Sequence, residues 1–584
     1  MKNHYPSSWT VAVLFAAVFT LSISIPRAQA AEFDYAELRL IPVMNDARAK
    51  PLDTFARETM RLVTSREKWK ASKVPQAPLL ARDPMTNLLS MLFEPDKWKD
   101  LPVIHLSDAG VKETLGIDGK EEWISFSELM DNEAFQKAFL VVVEKQRAEK
   151  DLNDLDRAIG DLHKVIATLD SIFFGTGLQV VAIEGPQGAI QWLSLQDMST
   201  TPEGESIRTN LHDLLIGFTE QDAEKFNKSA ASLASNLRED SPEGYPGIAV
   251  LGREAHYNQF KPFRKAWMFL LLGGILYAIS LGVSSRLLYL LAWAGSATGF
   301  FLATYGLGLR ISIAGRPPVS NMYESVVYMG WGVLVFAAIF ELIYRQRIFG
   351  LCGSIMGVIV LILADLLPFD PNISPLVPVL RSNFWLIIHV MTIVISYSAF
   401  GLAMALAHFS LFFYLFAPGK KQTIRAANLF VYRAIQVGVI LIAFGTFLGG
   451  WWANESWGRF WGWDPKETWA FISLLGYLAL LHARMFGLVG PFGMAIGAVV
   501  GFQLILMTWY GVNFVLASGL HSYGFGTGGG GYIAAYLSSE ALFMAIVAVR
   551  YKMVGPTLRK ALAEEDVERT QVEEGIGDVQ PSVP

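Results

Sequence analysis

The sequence predicts an all-α polytopic membrane core of about nine spans, preceded by an extracytoplasmic domain that is α/β or mostly helical. Hydrophobic residues make up 52% of the 584-residue chain and charged residues only 17%, whereas an average globular chain carries about 25% charged residues. From about residue 264 onward, apolar segments of the roughly 20 residues that a bilayer requires follow one another closely. Residues 31–262, in contrast, are polar and of mixed charge.

The first 30 residues resemble a secretory signal. Lys2 precedes an apolar run at 11–25, and Ala28-Gln29-Ala30 matches the small-residue pattern of a cleavage site. An uncleaved anchor helix is the alternative. Both interpretations place the residues that follow outside the cytoplasm.

Residues 31–262 contain local structural signals but no catalytic motif. We expect 41–58 to be extended and then helical, 132–174 to form one or two amphipathic helices capped by Asn132, and 177–193 to form two short strands around a turn at 184–188. The histidines of this region are isolated, and we expect them to be ordinary surface or core residues: His105, His163, His212 and His256. The sequence does not indicate a role for this domain.

The membrane core is predicted at 263–551. Its apolar segments are 266–283, 288–309, 322–343, 350–367, 383–416, 430–450, 468–487, 492–516 and 531–550. Lysine and arginine accumulate on cytoplasmic loops. With residue 262 outside, the inner loops contain Arg286, Arg345, Arg347, Lys420, Lys421, Arg425 and Arg484, and the outer loops contain Arg310, Arg316, Arg381, Arg459 and Lys466. This balance predicts an external N-terminal domain and a cytoplasmic tail at 552–584.

Charge and cysteine content exclude several functions. The net charge of -5 gives no sign of nucleic-acid binding. Cys352 is the one cysteine of the chain, so a disulfide framework, a C-x-x-C-H motif for covalent haem attachment and thiol chemistry between two cysteines of this chain are all excluded.

The most informative motif is the tryptophan block, residues 457–469, which contains four tryptophans and is preceded by Trp451 and Trp452. It lies between two apolar segments, so we expect a loop at the extracytoplasmic surface of the membrane. Indoles next to Arg459 and Lys466 are suited to hold a large, flat, anionic ligand, and haem is such a ligand. The alternative is an interfacial aromatic belt of the kind found in polytopic membrane proteins.

Four histidines lie in or beside the predicted spans. His389 is at the outer end of the fifth segment, and His521 is in the outer loop at 517–524, after the eighth segment. Both therefore flank the tryptophan block. This layout favours bis-histidine ligation of haem iron, because imidazole suits iron and the two axial positions face opposite sides of the ring. His482 is 15 residues past Glu467, or roughly 22 Å along a helix. His408 lies near the inner end of the fifth segment.

Two features of these loops have a second interpretation. Asp464-Pro465-Lys466-Glu467 is a strong helix start, so Asp464 is expected to cap the next span, a role compatible with contact to haem. The glycine-rich run at 524–531 would let His521 move as a ligand enters and leaves, or is simply a flexible loop.

The tryptophan block resembles the WWD signature of the cytochrome c assembly family. Residues 288–550 are similar to the membrane core of the CcsA/ResC-type subunit of the System II cytochrome c synthase. The resemblance implies that His389 and His521 are the external haem-iron ligands, and that His482 is the histidine of the span after the WWD loop. We expect the indoles of Trp457, Trp461 and Trp463 to stack on or border the ring, Arg459 or Lys466 to pair with its propionates, and Asp464 to belong to the same site. Residues 315–324 resemble a further family motif, and 41–58 resemble a segment that precedes the core in some bacterial members.

The resemblance further implies a function and partners. Haem b, held without a covalent bond, would be presented at the outer face of the bacterial inner membrane and attached to the C-x-x-C-H motif of apocytochrome c. A separate CcsB/ResB-like membrane subunit and a thiol reductant system are the other expected partners. The residues do not identify a catalytic group, and His408 has no counterpart and is expected to be structural. A haem delivery protein of the CcmC/CcmF type and a bis-histidine cytochrome b that carries electrons are the alternatives.

Overall fold

A computed structural model describes residues 32–67, 83–185, 188–197, 204–239, 241–366, 369–376, 382–516, 519, 531 and 533–553. The predicted signal peptide, nearly all of the predicted tail, His521 and most of the glycine-rich run at 524–531 lie outside the described residues. The division of the chain into four parts stays a prediction.

The N-terminal domain is mostly helical. Its helices are Ala36–Arg39, Leu52–Thr64, Pro84–Phe93, Asp96–Lys99, Ala109–Leu115, Phe126–Met130, Glu133–Arg147, Asp154–Phe173, Glu205–Thr219, Ala223–Glu239 and Ile248–Phe260. Its antiparallel strand pairs are Pro42–Asn45 with Arg48–Pro51, Ile104–His105 with Trp123–Ile124, and Gln179–Glu184 with Ile190–Ser194. Apolar side chains from all these helices except the last enclose one continuous buried core.

Local sequence explains several of these elements. Asn132 accepts a hydrogen bond from the Phe135 amide and so begins the helix Glu133–Arg147 as predicted. Asp46 and Ala47 both have positive φ, 50° and 56°, which gives the two-residue turn whose twist suits a hairpin. The helix Leu52–Thr64 follows this hairpin directly. The predicted order of extended and then helical backbone at 41–58 is therefore confirmed, as are the two strands predicted within 177–193.

The all-α polytopic core is also confirmed: among the described residues, nine helices are long and apolar enough to cross a membrane. In chain order we call them the first to ninth spans: Pro262–Gly282, Arg286–Ala314, Met322–Tyr344, Ile348–Leu366, Asn383–Phe416, Lys421–Trp457, Pro465–Met485, Pro491–Leu516 and Ile533–Met553. The fifth span lies centrally and packs against the third, fourth, sixth and eighth. Gly438 of the sixth span allows close approach, because a Cβ there would lie 2.6 Å from the Phe400 ring of the fifth.

The sixth span corrects one prediction. Its helix runs from Lys421 to Trp457, well beyond the predicted 430–450. Trp451, Trp452 and Trp457 are therefore helical, and only residues 458–464 of the tryptophan block connect two helices. We call 458–464 the tryptophan loop. The apolar run ends near residue 450, but the helix continues through the polar Asn454 and Glu455, so hydropathy alone understated its length.

Hydrogen bonds join the N-terminal domain to the core, next to one ion pair within the domain and one within the core. Arg48 bonds both carboxylate oxygens of Glu254 on the last helix of the domain, at 2.7 and 2.8 Å. Arg310 at the end of the second span pairs with Glu324 at the start of the third, at 2.7 Å, and both side chains are 1% exposed. Arg310 also donates to the Tyr257 hydroxyl. Arg310, which we predicted in an outer loop, thus lies inside a helix and is buried.

The domain and the tryptophan loop lie at the same end of the core. The domain contacts the end of the second span through Arg253 and Tyr257, and the loop that follows the fourth span through Arg61. Because consecutive spans alternate in direction, the sixth span ends and the seventh begins at that same end. The structure therefore brings the 41–58 and 315–324 motifs and the tryptophan loop to one end of the molecule.

Candidate functional site

The tryptophan loop is bounded by two strong helix signals. Gly458 ends the sixth span with the left-handed conformation, φ 68°, that favours glycine. Asp464 begins the seventh span: its carboxylate accepts from the Lys466 amide at 2.9 Å, and Glu467 completes a capping box by accepting from the Asp464 amide. The predicted capping role of Asp464 is therefore confirmed. Such a cap stabilises a helix by about 1 kcal/mol.

Glu467 also organises the loop itself. Its carboxylate accepts from the Gly462 amide at 2.8 Å and from Arg459 at 3.3 Å. The Arg459 guanidinium lies flat against Gly462, where a Cβ would be 1.6 Å from a guanidinium nitrogen, and it also lies 5.9 Å from the Trp457 ring. Arg459, proposed from sequence as a haem contact, is thus paired within the loop. Sequence reasoning assigned Glu467 only to the helix cap.

The side chains of the loop include large aromatic rings that are exposed on the protein surface. Trp463 is 68% exposed and Phe460 is 45% exposed, and the Trp461 and Trp463 rings meet edge to face at 5.8 Å. Trp463 has φ 57°, a conformation that costs energy for a bulky residue and that is often found at functional sites. Large exposed rings held in a strained backbone form a surface on which a flat apolar ligand can stack.

His389 is positioned by a π-helical turn, Leu386–Val390, near the start of the fifth span. Such turns interrupt α-helices frequently at functional sites. The His389 Nδ1 donates to the Gly445 carbonyl of the sixth span at 2.8 Å. Because a carbonyl oxygen only accepts, this bond requires a proton on Nδ1, and in the neutral imidazole the lone pair is then on Nε2. A neutral imidazole held in this way is typical of a metal-binding histidine.

The sixth span connects His389 with the tryptophan loop. A Cβ on Gly449 would lie 2.5 Å from the His389 ring, and a Cβ on the adjacent Gly450 would lie 2.6 Å from the Phe460 ring. Two neighbouring glycines therefore leave room for the histidine ring and for an aromatic ring of the loop. The structure thus places His389 and Phe460 of the tryptophan loop against adjacent positions of the sixth span.

A buried aromatic pair supports His389 from the other side. Trp452 stacks on Trp385 with ring centres 6.4 Å apart and contacts His389 edge to face at 5.6 Å. The Trp385 indole donates to Glu455 at 2.8 Å. Sequence reasoning missed Trp385, Glu455, Gly445 and Gly449; the spacing of Gly445 and Gly449, one helical turn apart, was the available signal for a close contact.

His521 lies outside the described residues, but Gly519 does not. Gly519 has φ 97°, and a Cβ there would lie 2.3 Å from the Asp464 carboxylate and 2.8 Å from Pro465. The backbone two residues before His521 is thus packed against the end of the tryptophan loop. Asp464, itself buried, contacts the chain segment that leads to the second predicted ligand.

The other two histidines lie away from this site. His482 is in the last turn of the seventh span, at the opposite end from Asp464; it is exposed, and its Nδ1 bonds the Leu478 carbonyl at 2.7 Å. His408 contacts Glu540 of the ninth span at 3.0 Å and stacks on Phe543. Of the histidines that the structure describes in the core, His389 alone lies near the tryptophan loop, and His408 joins two spans.

Comparison with known proteins identifies the family. The family model described as "Cytochrome C assembly protein" matches residues 319–521. The chain is 36% identical over 256 residues to "Cytochrome c biogenesis protein CcsA" of Prochlorococcus marinus, covering 81% of that protein and 38% of this chain. It is 30% identical over 361 residues to CcsA of Chlamydomonas reinhardtii, covering 92% of that protein and 58% of this chain. The chain belongs to the CcsA family of cytochrome c biogenesis proteins.

One relative extends the similarity beyond the CcsA core. Protein NrfI of Wolinella succinogenes is 31% identical over 511 residues, which is 82% of this chain. Residues 262–584 make up little more than half of the chain, so the similarity includes part of the N-terminal domain. The matched region spans about half of NrfI, 53%. The match to the family model begins at residue 319 and ends at His521. Every predicted site residue lies within this range.

Proposed function

We propose that this CcsA-family protein binds haem b non-covalently at the tryptophan loop, with His389 and His521 as the axial ligands of the iron. The observation that supports this most strongly is the position of His389. Its Nδ1 donates to the Gly445 carbonyl, and its ring packs on Gly449, next to Gly450, which packs on Phe460 of the tryptophan loop. The residues fit haem, because imidazole suits iron and the indoles offer the apolar area that a porphyrin needs.

The haem is cargo in this proposal. The protein presents it at the outer face of the bacterial inner membrane to apocytochrome c. There the two C-x-x-C-H thiols add across the haem vinyl groups, each S–H supplying one sulfur and one hydrogen to a double bond. A thiol reductant system keeps those cysteines reduced, since Cys352 is this chain's one cysteine and is buried.

The proposal includes a CcsB/ResB-like membrane subunit as partner. The seventh span carries His482 and has only 17% of its most apolar stretch buried, and the ninth has 6%. Both helices thus leave wide faces that a second membrane protein or lipid covers. In this proposal His482, about 22 Å of helix from Glu467, handles haem before it reaches the outer site.

The decisive assay is covalent haem on a reporter cytochrome. The chain is expressed with its membrane partner and an apocytochrome c, and haem-dependent peroxidase activity of the denatured product is measured. We expect product from the wild type and almost none from His389→Ala. His256→Ala is the matched control, because His256 lies at the same end of the molecule, where it contacts the Tyr305 hydroxyl, and this variant should keep wild-type yield.

Two other outcomes would point to the alternatives. Stable haem without any covalent product, reversibly reduced and oxidised, would indicate an electron-carrying cytochrome b. Haem transfer to a separate acceptor protein before attachment would indicate a delivery protein of the CcmC/CcmF type. Equal yield from wild type and His389→Ala would contradict the ligand assignment.

A further inference from the structure

Residues 369–376, between the fourth and fifth spans, lie where the N-terminal domain meets the core. We call this segment the bracing loop. Arg61 of the domain donates to the Asn372 side chain at 2.8 Å. From the core, Arg310 donates to the Pro371 carbonyl at 2.9 Å and Arg316 donates to the Ser374 carbonyl at 2.6 Å. The loop is thus bonded from both sides.

Arg61 is itself held in place. Its second guanidinium nitrogen bonds Glu67 at 2.6 Å, and Glu67 also bonds Lys261 at the beginning of the first span at 2.6 Å. The Arg61 side chain is therefore fixed relative to both the domain and the membrane core. A guanidinium oriented by one carboxylate makes a directional contact to Asn372, because its planar fork leaves little rotational freedom.

The two ends of the bracing loop contact the two parts of the haem site. At one end, Leu376 packs on the buried cluster of Trp385, Leu386 and Trp452, and Trp452 contacts the His389 ring. At the other end, the Phe369 ring is 6.2 Å from the Phe514 ring of the eighth span. Phe514 lies five residues before Gly519, which packs on Asp464.

We propose that the N-terminal domain positions the haem-binding histidine through the bracing loop, with Arg61 and Asn372 as the positioning residues. This inference rests on the function proposed above. It assigns a role to a domain in which the sequence shows no catalytic motif. Neither residue touches the ligand: Arg61 holds Asn372, the loop holds Leu376, and Leu376 supports the tryptophan pair against which His389 lies.

A first test uses the haem-free protein, so that it does not depend on ligand binding. Diethyl pyrocarbonate acylates accessible imidazole nitrogen, and mass spectrometry gives the rate at His389. We expect Arg61→Ala and Asn372→Ala to raise this rate about 3- to 10-fold, which is the size of effect that a packed network transmits. The double variant should behave like either single variant, since both remove the same contact.

The matched control is Arg238→Ala. Arg238 also forms an ion pair within the domain, with Glu37 at 2.9 Å, but it does not contact the bracing loop. We expect the wild-type rate for this variant. Arg61→Lys should restore only part of the wild-type rate, because an ammonium group can still donate to the Asn372 oxygen but lacks the planar fork that bonds Glu67 at the same time. Thermal unfolding of each variant is the check that its fold is intact.

A second test uses the haem-loaded protein with its membrane partner. Exogenous imidazole displaces a loosely held histidine ligand at lower concentration, so the half-displacement concentration should fall about 3- to 10-fold in Arg61→Ala and Asn372→Ala. Unchanged acylation and unchanged displacement in folded variants would overturn the inference. Faster acylation in a protein that never binds haem would instead retain the positioning role and refute the proposed function.

Discussion

Two regions at the same end of this molecule differ in how far their side chains are buried. Where the N-terminal domain meets the core, the Arg310–Glu324 pair is 1% exposed. At the tryptophan loop, Trp463 and Phe460 are 68% and 45% exposed. Buried charges need a partner in fixed geometry, so the first region is closed and rigid. Exposed rings on a membrane protein can accept a ligand, so the second region is open. The junction can therefore keep the spans in fixed positions while the aromatic surface binds and releases a ligand.

The largest expected effect separates the two kinds of side chain in the open region. His389→Ala should lower covalent cytochrome c at least about tenfold, and imidazole added to the culture should restore part of it, because a small ligand replaces a side chain that supplies one nitrogen. Trp461→Ala and Trp463→Ala should also lose product, but imidazole cannot replace the lost stacking area. The measurement is peroxidase-stained cytochrome c with and without imidazole. An equal response from both classes would mean that the ligands are misassigned.

The closed region should respond in stability rather than in chemistry. Glu324→Gln leaves the buried Arg310 without a charged partner, and breaking a buried pair costs about 3–5 kcal/mol. Thermal unfolding in detergent should show a large loss of stability, whereas Arg238→Ala, which removes an exposed pair, should change it by less than about 1 kcal/mol. Similar small losses in both variants would show that the junction is not as rigid as the burial indicates.

His482 tests whether the opposite end of the core acts on the open region. It lies about 22 Å of helix away from Glu467, which bonds the tryptophan loop. His482→Ala should therefore reduce the fraction of protein loaded with haem severalfold, while the absorption spectrum of the loaded fraction stays as in the wild type. A shifted axial-ligand spectrum would place His482 at the outer site, in conflict with its position in the last turn of the seventh span.

The smallest expected effect is the pH response of the junction. Burial raises the pKa of Glu67, but Lys261, Arg61 and Arg57 outweigh it and lower the pKa from 4.5 to about 2. A lowered pKa in the folded state stabilises the protein above pH 4.5, and this contribution is lost as the pH falls from 4.5 towards 2. Its upper limit is about 3 kcal/mol.

The matching measurement compares thermal unfolding of the wild type and Glu67→Gln over the pH range from 6 to 3. The wild type should be the more stable protein at pH 6, and the difference should shrink as the solution becomes more acidic. A constant difference across that range would show that Glu67 does not titrate as the surrounding cations require.

The sequence predicted the features that depend on neighbouring residues. Apolar runs located the nine spans, and Asp464-Pro465-Lys466-Glu467 predicted the helix start that the structure shows. The resemblance placed His389 beside the tryptophans. What the sequence could not show depends on contacts between distant segments. Arg61 and Asn372 are 311 residues apart, and Gly445 accepts from a histidine 56 residues earlier. No local pattern encodes such pairs, although the glycines at 445, 449 and 450 indicated close packing.

The central claim is that His389 and a second histidine hold haem beside the tryptophan loop. The most direct measurement is the absorption and magnetic circular dichroism spectrum of the protein purified with its membrane partner from haem-replete cells. We expect non-covalent haem b in a low-spin, bis-histidine state, converted to a five-coordinate or imidazole-responsive state in His389→Ala. A preparation without haem, or a bis-histidine spectrum that His389→Ala leaves unchanged, would contradict the account.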